Sequence, residues 1–255
     1  SENPTLPRIT LVCCYNNEEK YNELIKSAGT QTIPLKIIGI DNRGQKYKSA
    51  AAALNAGTKQ VSTEYVAFVH QDVIFAKEDT LEHFVMHTEL IPDIGVMGVA
   101  GKRDDDIFLY GNLRHGEHID ALRTPGKNIT GVLTCQTVDE CLFGGKTEFF
   151  KENPFDEVLC DSWHLYAAEI CLRAIKNGKR VYICDAPIIH LSGGNPDKNY
   201  LKGLKKLASA YEKDFDFINT TCGWTRTKRP ARDVDMLKTR VRNFIIHHTK
   251  PPEDK

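Results

Sequence analysis

Short apolar runs alternate along the chain with stretches whose apolar residues recur every three or four positions. The first kind predicts buried strands, the second amphipathic helices. Arg8–Cys14, Leu35–Ile40 and Tyr65–Val73 read as three strands, with Asn16–Ala28 and Ser49–Gln60 as the helices between them. The first helix carries Tyr21, Leu24, Ile25 and Ala28 on one face. Asn16 and Glu19 have the spacing of a capping box, and Gly29 sits where a glycine ends a helix. Strand, helix, strand, helix, strand is the pattern of a parallel sheet with right-handed crossovers. The third run, YVAFVHQDV, is apolar enough for a central strand and stops at His70, Gln71 and Asp72.

Further on, Glu78–Leu90 predicts a helix closed by Pro92, and Ile94–Ala100 another buried strand. Gly101–Asn128, with the consecutive aspartates Asp104–Asp106, reads as a solvated loop. Ile129–Phe143 alternates and then turns apolar; Gly144-Gly145 breaks it, and Thr147–Phe150 resumes as a short strand. A polar, aromatic loop over Phe155–Glu169 leads into a helix that turns Ile170, Cys171, Ala174 and Ile175 inward and ends at Asn177-Gly178. Val181–Leu191 predicts a late strand pair ending at His190 and Ser192-Gly193-Gly194, where glycines permit close approach to a phosphate. Lys198–Glu212 is a helix, and the basic tail from Thr220 ends in a helical stretch around Val234–His248. The expected organisation is one α/β domain over 1–218, with a basic, helical extension over 219–255 packed on it.

Composition narrows the class. The 34 Lys and Arg balance 34 Asp and Glu, so nothing draws the chain to nucleic acid in bulk. No apolar run approaches the roughly 18–20 residues of a membrane span, and SENPTLPR lacks the layout of a signal peptide. The eight cysteines are scattered without a CxxC pair, which reads as reduced core thiols. The expectation is a cytoplasmic protein, with the inner face of the membrane as a further location. The abrupt start suggests a piece of a longer protein.

The candidate chemistry lies at the strand ends. Tyr15-Asn16, Asp41 and Asp72 each follow one of three successive strands, and right-handed crossovers bring those ends to one crevice. The first turn is not GxGxxG, yet a helix start at Asn16–Glu18 offers backbone N–H groups to a diphosphate. Asp41 is suited to a base N–H or a ribose hydroxyl. Asp72 is suited to a metal that bridges phosphates, and with His70 beside it the donor set fits Mn²⁺ or Mg²⁺. The ordinary reading of these residues is as turn formers and caps. The Phe155–Glu169 stretch gathers Asp156, Glu157, Asp161, Trp163, His164, Tyr166 and Glu169, either as an anchored acceptor loop or as core aromatics and caps.

The segments ITLVCCYNNEE, IIGIDNRG, SAAAALNAG, YVAFVHQDV, FDEVLCDSWHLYAAEICLRAIKNGKRVYI and IIHLSGG follow one another over residues 9 to 194. In that order they resemble the family-2 nucleotide-sugar glycosyltransferases of the GT-A fold, most nearly the small bacterial branch typified by a streptomycin-biosynthesis protein. The resemblance implies a Rossmann-like, mostly parallel central sheet flanked by helices, with a small helical extension. It implies metal-dependent transfer of a hexose from a nucleotide-diphosphate sugar, UDP favoured, to a hydroxyl of a glycan, lipid or protein. Tyr15, Asn16 and Asp41 would hold the nucleotide, with Asn55 near the base or sugar. His70-Gln71-Asp72 stands where the family's metal-binding DxD lies, and His190 matches a further metal ligand. Trp163 and His164 fall where the family places acceptor-side and catalytic residues.

Two departures matter. His70 replaces the first Asp of DxD, and Ala167 stands at or next to the position of the family's general base. The base is then expected at Asp161 first, with His164 or Glu169 second, unless the enzyme retains configuration and needs none. A non-catalytic nucleotide- or sugar-binding module of the same fold is the alternative. A nucleotidyltransferase is discounted, because CYNNEE lacks a Gly-rich loop with Lys or Arg.

Overall fold

The computed structural model describes residues 6–192 and 198–249. β1 (Ile9–Tyr15), α1 (Glu18–Ala28), β2 (Leu35–Asp41), α2 (Ala50–Thr58) and β3 (Tyr65–Val69) form the expected βαβαβ run, β1 pairing in parallel with both β2 and β3. One detail differs. Asn17, not Asn16, caps α1, its side chain accepting from the Lys20 N–H at 3.0 Å. Asn16 is instead held by Gln71, whose Nε2 donates to its Oδ1 at 2.9 Å.

The YVAFVHQDV run is two strands rather than one. β3 stops at Val69, and the chain re-enters as β4 (Val73–Phe75) in a different sheet. α3 (Thr80–Leu90) and β5 (Ile94–Gly98) follow. Where the polarity of 101–128 predicts a loop, the chain forms β6 (Ala100–Lys102), β7 (Leu109–Gly111), β8 (Leu113–Gly116) and a 3-10 turn at Ile119–Ala121. These strands, three or four residues long and mixed in polarity, are too short to leave a periodic apolar signal. β9 (Val132–Cys135), β10 (Thr137–Val138) and β11 (Leu142–Lys146) come next. Gly144 and Gly145 lie inside β11 instead of breaking it, and Thr147–Phe150 belongs to helix α4 (Thr147–Glu152).

α5 (Tyr166–Lys176), β12 (Arg180–Cys184), β13 (Ile188–Leu191), α6 (Lys198–Ala210), a β14–β15 hairpin (Phe217–Thr220, Gly223–Arg226) and α7 (Ala231–Thr249) complete the chain. The hairpin, which the sequence pattern does not announce, spans the expected boundary at 218/219, and α7 packs on β15 and α6. Gly193 and Gly194 lie outside the described residues.

The central sheet runs β2-β1-β3-β11-β5-β12-β9. It is mostly parallel; only β11 and β9 oppose their neighbours. Its strands alternate between two cores. Tyr65, Ala67 and Val69 of β3 face the side of Leu24, Leu81 and Phe84, while Val66 and Phe68 face Leu54, Phe143, Phe150 and Phe155. Both faces are apolar because helices cover both. Six of the eight thiols are buried, and all eight are free.

Gly144 is required by this packing. A Cβ there would collide with the Val66 carbonyl of β3, backbone that cannot yield. Gly144→Ala is therefore expected to destabilise the protein by roughly 1–3 kcal/mol or more, as overpacking does. A urea denaturation midpoint equal to that of the parent would show that β11 and β3 separate without cost.

Candidate active site

The site grows from the crossing between β3 and β4. His70, Gln71 and Asp72 occupy that crossing at the carboxyl edge of the central sheet. Gln71 is the latch: its Oε1 accepts from the N–H groups of Asn16 and Asn17 at 3.0 and 2.9 Å, fixing the β1–α1 turn against the end of β3. β13 pairs antiparallel with β4, placing His190 opposite Val73. That register brings a histidine 120 residues away in sequence back to the triplet. His190 Nε2 lies 3.2 Å from Asp72 Oδ1 and 3.4 Å from His70 Nδ1. Ligand-type atoms of His70, Asp72 and His190 all fall within 4.8 Å of one another.

Electrostatics hold Asp72 and His70 in their ligating forms. Burial alone would push the Asp72 carboxyl up, but its hydrogen bond to His190, with His70 and Lys20 nearby, brings it down to about 2. Lys20 Nζ of α1 lies 3.4 Å from Asp72 Oδ2. Burial, then the neighbouring His190, pushes the His70 imidazole down to about 4, so it is neutral at physiological pH. The other ring nitrogen, Nε2, is 2.9 Å from the Tyr166 hydroxyl. Two imidazoles and a carboxylate suit Mn²⁺ better than Mg²⁺, which prefers an all-oxygen shell.

Two clefts meet here. One, of about 280 Å³, is lined by Asn16, Ala50, Leu54, His70, Gln71, Asp72 and Trp163 among others. The other, about 410 Å³, lies across Trp163 and is lined by His70, His115, Arg123, Asp139, Glu140, His164 and His190. His115 comes from β8, in register with His190, their rings 5.4 Å apart. Asp139 is held below the usual carboxylate range by His190 and by the Cys141 N–H, against the upward push of burial. Glu140 goes the other way: burial and then Asp139 push it up to about 8, although the backbone amides of Leu165, Ala167 and Tyr166 oppose the rise. Leu165, at the entry to α5, holds a left-handed backbone with φ of 70°, a conformation a leucine adopts only under constraint.

The remaining sequence candidates divide. Asn16, His70, Gln71, Asp72, His164 and His190 reach the clefts. Tyr15 and Asp41 face each other in register at the same sheet edge, further out. Tyr15 stacks on Tyr21, and Asp41 is exposed and paired with Arg43, which holds it down to about 2. Asn55 does not reach either cleft: its side chain donates to the Phe155 carbonyl and Glu157 and accepts from the Phe155 N–H, pinning the segment after α4. Asp161 is exposed and pairs with Lys206 at 2.6 Å. Glu169 is 1% exposed and committed to Arg173 and the Tyr211 hydroxyl. Neither lines either of these clefts: Asp161, ahead of α5, is drawn to Lys206 of α6, and α5 turns Glu169 into the core. Sequence reasoning did not single out Asp139, Glu140 or His115. Asp139 and Glu140 carried a faint signal, adjacent acids inside an otherwise apolar strand pattern; His115 carried none.

A family model described as a glycosyltransferase-like family matches residues 10–211. The chain belongs to that family. No curated protein matches. Among solved structures, it is similar to the mannosyltransferase PcManGT from Pyrobaculum calidifontis in complex with GDP-Man and Mn²⁺, at 14% identity and a TM-score of 0.51, covering 95% of this chain and 66% of that one. It is also similar to S. aureus TarS 1-349, at 16% identity and a TM-score of 0.56, covering 94% of this chain and 72% of that one. The same protein in complex with UDP-GlcNAc matches at 15% identity and a TM-score of 0.54, over 83% of this chain and 68% of that one. The shared architecture is GT-A. This chain spans about two-thirds of the length of the first of these.

Two outcomes follow for the described geometry. Asn55→Ala removes three hydrogen bonds and strands the buried Phe155 amide, so a stability loss of about 1–3 kcal/mol is expected in urea titrations. A loss below the error of the measurement would mean that water replaces Asn55. Because the folded pKa of His70 lies below its ordinary 6.5, the unfolded chain binds the extra proton between about 6.5 and 4. Stability should therefore fall as pH drops through that window. His70→Gln should flatten the slope; an unchanged slope would place the titration elsewhere.

Proposed function

We propose that the protein is a metal-dependent glycosyltransferase of the small streptomycin-biosynthesis-type branch, moving a hexose from a nucleotide-diphosphate donor, UDP favoured, to a hydroxyl acceptor on a glycan, lipid or protein. The cytoplasm, or the inner face of the membrane, is its working place. The observation that carries this reading is the convergence of His70, Asp72 and His190 beside the start of α1. A cation bound by Asp72 and His190, with His70 as the neighbouring imidazole, would neutralise charge on the diphosphate leaving group. The hydrogen bond between Tyr166 and His70 Nε2 supports ligation through Nδ1, because it fixes the ring and leaves Nδ1 facing the cluster. Asn16, held by Gln71, and the free N–H groups of the first turn of α1 would meet phosphate oxygens. Tyr15 and Asp41, in register at the ends of β1 and β2, would meet the nucleoside. The cleft on the far side of Trp163, which His164 lines, would take the acceptor.

Asp72→Ala should abolish Mn²⁺-dependent binding of UDP or GDP in calorimetry while leaving the circular dichroism spectrum unchanged. Undiminished metal-dependent binding would remove the metal assignment. A second reading, a non-catalytic nucleotide- or sugar-binding module, is motivated by Ala167 at the base position. Tight nucleotide binding with no turnover of any donor would favour it.

A further inference from the structure

The GT-A transferase reading leaves a chemical gap. An acceptor hydroxyl must lose its proton as it attacks, yet the methyl of Ala167, fully buried, stands where the resemblance puts the base. The three replacements expected from the sequence do not fill the gap equally. Asp161 is tied to Lys206 outside the cleft, Glu169 is locked in the core by Arg173 and Tyr211, and only His164 lines the acceptor side.

A carboxylate does reach the start of α5, from another element. Glu140 lies on the short turn between β10 and β11, and it lines the acceptor cleft together with Trp163, His164, His70 and His190. The backbone amides that bear on it belong to Leu165, Tyr166 and Ala167, the first residues of the helix whose own side chain at 167 is a methyl. Glu140 thus approaches the spot that an acidic residue at 167 would occupy. The left-handed backbone of Leu165 opens α5 beside it, and such constrained residues gather at functional sites.

We infer that Glu140 is the general base of the transfer, taking the place of the acid that Ala167 lacks, and that the acceptor hydroxyl is bound in the cleft between Trp163 and His115. The inference rests on the transferase reading above. The acceptor oxygen forms its bond to the anomeric carbon while the bond from that carbon to the diphosphate oxygen breaks. The electron pair leaves with the nucleoside diphosphate, and the hydroxyl proton passes to a Glu140 oxygen. One displacement of this kind inverts the anomeric centre. Trp163, 43% exposed, offers an aromatic face of the sort on which sugar rings stack, so the geometry favours a sugar hydroxyl as acceptor. Burial and then Asp139 push the Glu140 carboxyl up to about 8, so the proton-accepting carboxylate becomes the main form only above that pH, and an acquired proton is held more firmly than in water.

The test uses the full chain with Mn²⁺ and a panel of UDP-GlcNAc, UDP-glucose and GDP-mannose, with simple sugars or water as acceptors. Release of nucleoside diphosphate is measured. For any donor the parent turns over, Glu140→Gln should lower kcat by about 10²–10⁴-fold, the range of general-base loss. Its Mn²⁺-dependent affinity for UDP or GDP should stay within about twofold, and its thermal melting should match the parent's. Glu140→Asp, which keeps the carboxylate but shortens its reach, should retain more activity than Glu140→Gln. Parent turnover with Glu140→Gln retaining more than a third of kcat would overturn the assignment and leave the transferase reading standing. So would equal losses in the Asp and Gln variants accompanied by lowered melting, which would make Glu140 a structural cap of α5. Absence of turnover of every donor by the parent protein would instead bring down the transferase reading, and the role of Glu140 with it.

Discussion

The arrangement depends on how the chain leaves β3. Within three residues it must pass from the central sheet to the small sheet of β4, β13 and β8. A chain that changes sheets over so short a span has little freedom left, and the residues that make the passage are held from both sides. His70 is fixed by the Cys141 carbonyl, which accepts its N–H, and by the Tyr166 hydroxyl on its ring. Gln71 is fixed by the turn after β1, and the Asp72 carbonyl accepts the Leu191 N–H. The candidate groups are therefore carried on backbone held from both sides, the condition for placing reacting atoms to within about half an ångström.

The small sheet does the remaining work. β13 lies between β4 and β8, and its pairing is antiparallel on one side and parallel on the other. That sandwiching delivers His190 to the Asp72 carboxylate and His115 to His190. A one-residue slip in β13 would turn His190 to the opposite face, since side chains alternate along a strand. The metal-type cluster is thus a statement about register as much as about residue identity.

How much of this could be read from the sequence follows from where the signal lies. The βαβαβ run and the polar triplet at the end of β3 were legible because burial on both faces leaves continuous apolar stretches and strand ends are marked by polarity. The insertion of β11 was not: Gly144-Gly145 looks like a break, and only the approach of the Val66 backbone shows why a strand needs glycine there. The strands inside 101–128 were hidden because each is only three or four residues long, too short for an apolar period to show. Asn55 and Glu169 show what a motif leaves unsaid. A polar residue in a motif looks the same whether its hydrogen bonds go to a ligand or to the protein, and both of these spend theirs internally.

Trp163 lies between the two clefts and lines both, as does His70. The wall between them is thus two side chains thick at most, an indole and an imidazole. His70 is tied on both sides, whereas the indole is 43% exposed, so a change in the Trp163 rotamer would alter the outline of both compartments at once.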